Sequence, residues 1–194
     1  FKDSVCGQEK DGDYFDVLND AAKDIPAGSD GVLFLPYLTG GTNDVKEATG
    51  CFLNMTLDTD QATLWHAVLE AIGYDYMEIT DLYRGAGVDM SRITITEGGS
   101  RSEIWNQMKS DMLGSEVITL KNAGGAVVTD CIVGAYALGH ITDMKAALTE
   151  SLEIKKLYYT NAENHDFYAK QYALQKKLVK QDMKEAFHTL KALH

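Results

Sequence analysis

The sequence predicts a layered α/β domain. Residues 92–113, RITITEGGSRSEIWNQMKSDML, pass directly from a strand pattern through a glycine turn into an amphipathic helix. Elsewhere, short β-type runs alternate with long helical stripes, and neither kind gathers in one half of the chain. Hydrophobic residues at 45% and charged residues at 24% of 194 positions suffice for one full core. No Ser/Gly/Pro-rich linker, low-complexity tract or fixed-period repeat divides it.

After a polar start, residues 13–22 read as a short helix. Residues 31–38, GVLFLPYL, form a compact apolar run that suits a buried strand broken at Pro36. Polar backbone from Thr39 to Asp44 makes a loop, and residues 50–57 resume as a strand. Asp58, with Gln61 three residues on, signals a long helix that Gly85 ends. Its apolar stripe is Leu64, Val68, Leu69, Ile72, Tyr76, Ile79 and Leu82. Within 92–113, Ile93 and Ile95 alternate with Thr94 and Thr96, and Gly98-Gly99 lets the backbone turn with no Cβ in the way. Ser100 and Glu103 have the spacing of a Ser-x-x-Glu capping box. Ile104, Trp105, Met108, Met112 and Leu113 recur at threes and fours, which commits one face of that helix to the body of the domain. A strand at 116–120, a loop with Gly124-Gly125 and a small-residue helix over 126–138 come next. Gly134 inside that helix predicts close approach by a neighbouring helix. Residues 152–159 read as an edge strand. A long helix from 163 to the end carries Tyr168, Tyr172, Val179, Met183, Ala186, Phe187 and Leu190 on its apolar side.

A net charge of -11, from 29 acidic and 18 basic residues, argues against nucleic acid as a partner, because binding phosphate backbones needs clustered Lys and Arg. The lysines that do cluster, Lys176, Lys177, Lys180 and Lys184, read as a solvated helix face. Cys6, Cys51 and Cys131 lie far apart without CxxC spacing, which fits reduced thiols in a cytoplasm. The five histidines, His66, His140, His165, His188 and His194, show neither HxxxH nor HExxH, so no metal site is expected. No apolar run approaches the roughly 20 residues that cross a bilayer, and no basic-then-apolar leader opens the sequence, so a soluble cytoplasmic protein without a membrane partner is expected. A start at Phe1 in mid-pattern suggests a piece of something longer.

Several chemistries lack their motif. The glycine pairs never produce GxGxxG, no GxxxxGK[ST] occurs, and there is no GxSxG. With 29 carboxylates, no acid and base pair can be singled out. The residues by themselves therefore give an α/β domain with one nucleotide-facing turn at 98–100, whose plainer alternative is a tight strand-to-helix connection.

The order of segments carries more. GSDGVLFLPYLTGG, then ATGCFLNMTLDTDQATLWHAVLEAIGY, then ITITEGGSRSEIWNQMKSDMLGSEV, resembles the C-terminal domain of the FGGY family of carbohydrate kinases, xylulokinase-like members most closely. The resemblance rests on Leu35-Pro36-Tyr37, the stretch 50–55, Leu69-Glu70, Gly98-Gly99-Ser100 and Trp105 to Gln107, all in family order, and on a family-like terminal helix at 163–172. It implies an actin-like, ribonuclease-H-like domain, three-layered with a mixed sheet, that spans 1–194 and forms the nucleotide side of a longer two-domain kinase. It implies transfer of the ATP γ-phosphoryl group to a sugar hydroxyl with Mg²⁺, xylulose being the expected sugar and ribulose or gluconate the alternatives. It places Gly98, Gly99, Ser100, Ser102 and Glu103 against the adenosine part of the nucleotide. The catalytic base and phosphate loops fall upstream in the family, so no catalytic residue is assigned and the chain alone is expected to be inert. The missing N-terminal kinase domain and a homodimer are the implied partners. Asn54 in place of glycine, Thr63 in place of a charged or imidazole side chain, and Thr129 in place of glutamate depart from the pattern. They open the alternative of a degenerate module that senses nucleotide or sugar.

Overall fold

The computed structural model describes residues 14–41, 45–121 and 125–192. The expectations for Cys6, the loop at 42–44, Gly124 and His194 lie outside these residues.

The chain opens with helix α1 (Tyr14–Ala22), which buries Leu18 and Ala22. A turn follows in which Gly28, Ser29, Asp30 and Gly31 all have positive φ. Strand β1 (Leu33–Leu35) stops at Pro36 and pairs antiparallel with β2 (Cys51–Leu53), with Phe34 stacked on Phe52 at 4.5 Å. β2 ends at Asn54, whose φ of 60° takes it out of extended geometry, well short of residue 57. Asn54 Nδ2 donates to the Gly31 carbonyl at 3.0 Å, so an asparagine holds a left-handed position that otherwise favours glycine.

Helix α2 (Gln61–Gly85) is the long helix foreseen, but Asp60 caps it and Asp58 does not. Asp60 is extended, and its Oδ1 accepts from both the backbone N–H and the hydroxyl of Thr63, at 2.8 and 3.0 Å. Asp58 is held instead in a local turn closed by Thr56 and Thr59. The apolar stripe also needs correction in its second half. Tyr76, Ile79 and Leu82 are exposed, and the inward face is Gly73, Tyr74, Met77 and Thr80. Gly73 explains the rotation: a Cβ there would strike the Met112 sulfur, so the glycine side is where the neighbouring helix comes closest.

Strand β3 (Arg92–Ile95), helix α3 (Glu103–Leu113) and strand β4 (Glu116–Leu120) form a parallel βαβ unit in which Arg92 sits opposite Glu116. Strand β5 (Ile154–Tyr158) runs antiparallel on the other side of β4, as the expected edge strand, and gives a mixed sheet of order β3-β4-β5. Helix α3 lies on the sheet, and α2 and α6 (Ala162–Lys177) lie on α3. The core sits between these helices and joins Leu18, Leu69, Tyr74, Met108, Met112, Leu113 and Tyr168. A smaller cluster of Leu35, Val45, Ala48, Val179 and Phe187 closes the β1–β2 end.

Three further expectations change. The small-residue helix is α4 (Gly125–Ala137), but among the described residues a Cβ on Gly134 would meet nothing within 4 Å, so none of the described helices makes the close approach expected there. Helix α5 (Met144–Ser151), capped by Asp143, was not foreseen in the sequence and packs on α4. The terminal helix is two helices, α6 and α7 (Lys184–Lys191), separated by a π-helical turn at Leu178–Asp182. That extra residue per turn reorients the apolar side: Val179 and Phe187 are buried, but Leu190 is 49% exposed. Among the described residues, no helix is long and apolar enough to cross a membrane.

Candidate functional site

The corner between β3 and α3 is fixed by side chains from beneath. Residues Gly98–Ser100 make a single 3₁₀ turn, entered through Glu97 at φ 60°. The Ser100 backbone N–H and hydroxyl both donate to the Glu97 carbonyl, at 3.1 and 2.8 Å, which holds that unfavourable dihedral. Asn106, fully buried, donates through Nδ2 to the Ser100 carbonyl at 2.7 Å. The ammonium of Lys109 donates to the Gly99 carbonyl at 2.8 Å and lies 3.7 Å from the centre of the Trp105 ring. Lys109 is only 1% exposed, and burial draws its pKa down to about 8. Trp105 in turn donates from its indole to the Leu69 carbonyl of α2 at 3.3 Å. The glycine turn is therefore presented on a rigid base, with Gly98 exposed and open space where its Cβ would be.

The capping role is taken by Ser102 and not by Ser100. Ser102 Oγ accepts from the Trp105 N–H at 3.3 Å, because the 3₁₀ turn takes up Ser100 and moves the helix cap two residues on. Glu103 reaches Lys156 of β5 at 2.8 Å, a hydrogen-bonded pair that holds its carboxyl below the usual carboxylate range. Both groups are exposed, so the pair shapes the local charge more than the stability.

Ser102 and Glu103 also line a cavity of about 810 Å³ between α1, α3, β5 and α6. That volume falls in the range of small-molecule sites. Its apolar wall includes Ile25, Ala27, Ile104 and Met108, and the buried His66 and Tyr168 also line it. Gly98, Gly99 and Ser100 stand beside the cavity and do not line it. Of the five residues singled out in the sequence, two thus border the cavity, the two glycines form the adjoining platform, and Ser100 braces that platform from within.

Below the cavity lies a polar network centred on Glu70 of the Leu69-Glu70 pair. Glu70 Oε1 accepts from the Gly28 N–H at 2.7 Å and the Tyr168 hydroxyl at 2.9 Å, and Oε2 accepts from the Ser29 hydroxyl at 2.7 Å. His66 Nδ1 is 2.8 Å from Ser29 Oγ. Burial pushes the Glu70 carboxyl up to about 7, against the three hydrogen bonds, and pushes His66 down to about 4. Asp111 places the α6 end of the network: it accepts from the Asn161 N–H, Asn164 Nδ2 and Gln107 Nε2, and so pins the start of α6 to α3. Lys109, Asn106 and the pairing of His66 with Glu70 were not foreseen in the sequence, where Glu70 entered only through the Leu69-Glu70 resemblance. The available signals were two polar residues at i, i+3 on the inward side of α3 and the i, i+4 spacing of His66 and Glu70.

The glycine corner, the helix start and the adjoining cavity sit on a mixed α/β sheet covered by helices. The model of the C-terminal domain of the FGGY family of carbohydrate kinases matches residues 4–138, and the chain belongs to that family. It is similar to the xylulose kinase of Staphylococcus epidermidis, with 29% identity over 170 residues that cover 87% of this chain and 34% of the relative. It is also similar to the gluconokinase of Bacillus subtilis, 34% identical over 140 residues, 69% of this chain and 27% of the relative. The chain thus spans about a third of the length of these relatives. Two solved structures share the fold: xylulose kinase from Rhodospirillum rubrum, with a TM-score of 0.74 at 24% identity over 93% of this chain and 35% of that one, and gluconate kinase from Lactobacillus acidophilus, with 0.76 at 20% over 97% and 38%. FGGY sugar kinases have an actin-like ATPase fold, and the mixed sheet with its stacked helices agrees with it.

Proposed function

We propose that residues 1–194 are the nucleotide-side domain of a longer two-domain, ATP-dependent sugar kinase. The observation that carries this reading is the braced turn at Gly98–Ser100, in a chain that belongs to a carbohydrate kinase family. Gly98 and Gly99 offer the ribose and base a surface without side chains, Ser100 contributes backbone only, and Ser102 and Glu103 border the nucleotide from the first turn of α3. The residues present fit the adenosine part of ATP. Mg²⁺ enters this reading as part of the MgATP substrate.

The reaction is in-line transfer of the γ-phosphoryl group to a sugar hydroxyl, which depends on positioning and charge neutralisation from both walls of a cleft. This chain supplies the adenosine wall. The base that takes the hydroxyl proton and the phosphate loops belong to the remainder of the protein. Xylulose is the first substrate, on the similarity to xylulose kinases, and gluconate the second, because a gluconokinase is similar at 34% identity. Ribulose completes the panel, and a cytoplasmic site of action is proposed.

The test is ADP release by the complete protein with MgATP and a panel of ketoses, aldoses and sugar acids. Release dependent on one sugar establishes the kinase and names its substrate. ATP binding without release under any sugar moves the protein to the alternative, a nucleotide- or sugar-sensing module, which the departures at Thr63 and Thr129 motivate. The isolated chain is expected to release no ADP with any sugar.

A further inference from the structure

We propose that Glu70, Ser29 and His66 form a proton relay, in which protonation of the buried Glu70 carboxyl reverses the tautomer of His66. The relay is independent of the nucleotide reading and uses three groups that reading leaves without a role.

The hydrogen bonds around Glu70 leave one place for an added proton. Oε1 accepts from the Gly28 N–H at 2.7 Å and from the Tyr168 hydroxyl at 2.9 Å, so both its lone pairs are engaged. Oε2 has the Ser29 hydroxyl as its partner, at 2.7 Å. A hydroxyl can turn from donor to acceptor, which a backbone N–H cannot, so Oε2 is the oxygen that is protonated. Ser29 has a second contact, at 2.8 Å to His66 Nδ1, and a single hydrogen to share between the two.

With Glu70 ionised, that hydrogen goes to the carboxylate, because a bond to a charged acceptor is the stronger one. Ser29 Oγ then accepts from His66 Nδ1, and the neutral imidazole has its lone pair on Nε2. The 3.4 Å approach of Nδ1 to Glu70 Oε1 favours the same arrangement. With Glu70 protonated, Oε2 donates to Ser29 Oγ, the Ser29 hydrogen turns to His66 Nδ1, and the imidazole holds its hydrogen on Nε2. One proton accounts for the change: it enters at Nε2, the Nδ1 hydrogen passes to Ser29 Oγ, and the Ser29 hydrogen passes to Glu70 Oε2. Nε2 changes from acceptor to donor, which sets the sense of any hydrogen bond made there. His66 lines the cavity between α1, α3, β5 and α6, so the relay joins a carboxyl that is only 1% exposed to open space.

The surroundings let Glu70 titrate while His66 stays neutral. Burial raises the Glu70 carboxyl to about 7 and lowers His66 to about 4. The other ionisable groups facing the carboxyl are Tyr74 on α2 and Tyr168 on α6, with Asp111 on α3 beyond Tyr168. Burial, reinforced by the Glu70 charge, holds both phenols above their usual range, so neither competes for the proton. Asp30, in the turn beside Ser29, is exposed.

The test is NMR of the complete protein labelled with ¹⁵N-histidine, using long-range proton–nitrogen correlations that tell a protonated ring nitrogen from a bare one. His66 is the signal that His66→Gln lacks. Between about pH 5.5 and about pH 8.5, either side of the Glu70 midpoint, the hydrogen is expected to move from Nε2 to Nδ1, each tautomer exceeding the other by about tenfold or more at its own end. In Glu70→Gln the side-chain amide donates to Ser29 Oγ at every pH, as the protonated acid does, so His66 should keep its hydrogen on Nε2 throughout. A purely structural Glu70 would leave the tautomer at high pH the same in this variant as in wild type. In Ser29→Ala the link is cut, and an exchange of tautomers that persists there overturns the relay. A single tautomer across the whole range in the wild-type protein, or an imidazolium protonated at both nitrogens at the lower end, overturns it as well, and does so even if the variants do not fold.

Discussion

At His66 and Glu70, two buried groups with opposed titrations share one serine. His66 falls to about 4 in the folded chain from 6.5, so between those values the unfolded state holds more protons and stability increases with pH. Glu70 is raised to about 7 from 4.5, so its contribution is complete below 4.5 and is lost as pH climbs through 7. The two slopes cancel over most of the interval from 4.5 to 6.5. His66→Gln removes the first and leaves the second. Urea unfolding at a series of pH values should show wild type gaining on this variant from pH 4 to 6.5, by about 1–3 kcal/mol in total. A difference that stays constant across that range would mean that the imidazole does not change charge there. Asn54 illustrates a milder accommodation: it takes the left-handed backbone and bonds to Gly31, so the departure from the family glycine leaves the β1–β2 hairpin intact.

The element that decides the site is α3. Its outward first turn holds Ser102 and Glu103, its inward face holds Met108, Met112 and Leu113, and between them Asn106 and Lys109 reach back to the carbonyls of the glycine turn. Lys109→Met should leave the urea midpoint nearly unchanged, because a buried ammonium without a carboxylate partner contributes little net stability, while ATP affinity drops about three- to tenfold as the turn loses its tie. Unchanged affinity would show that Asn106 and Ser100 suffice to hold the turn. Much of α3 was legible in advance: the strand–glycine–helix order, the apolar spacing and the boundary at Leu113 follow from local chemistry. The cap was not, since Ser100 and Ser102 are equally good candidates locally and only the 3₁₀ turn separates them. The second half of α2 misled for a related reason. Tyr76, Ile79 and Leu82 make a good helical stripe, but Gly73 lets Met112 in on another side, and that approach is a tertiary fact. The network around Glu70 was invisible because its partners, Gly28, Ser29 and Tyr168, come from two distant segments.

At the scale of the whole molecule, order is unevenly distributed. Helix α4 is rich in Val, Ile and Ala, yet Val127, Val133 and Tyr136 are exposed and its main neighbour is α5. In the 194-residue chain, amides of α4 should exchange with deuterium at least about a hundredfold faster than those of α2 and α3, as measured by mass spectrometry, because little packing opposes its local opening. Slow exchange in α4 would require a stabilising contact from outside the described residues.

Glu70 also has a bearing on how the chain reaches this structure. Its partners lie 42 residues upstream at Gly28 and 98 downstream at Tyr168, so closing the network must await the meeting of both ends of the domain on α2. Contacts of such separation are costly to close early, and they are made after the rate-limiting step when local helices nucleate first. Glu70→Ala, which strands three donors at a cost of about 3–5 kcal/mol, should therefore leave the refolding limb of a denaturant chevron almost in place and speed unfolding by two orders of magnitude or more. The buried carboxylate then acts as a latch on lifetime: it sets how long the domain stays folded and has little say in how fast it gets there.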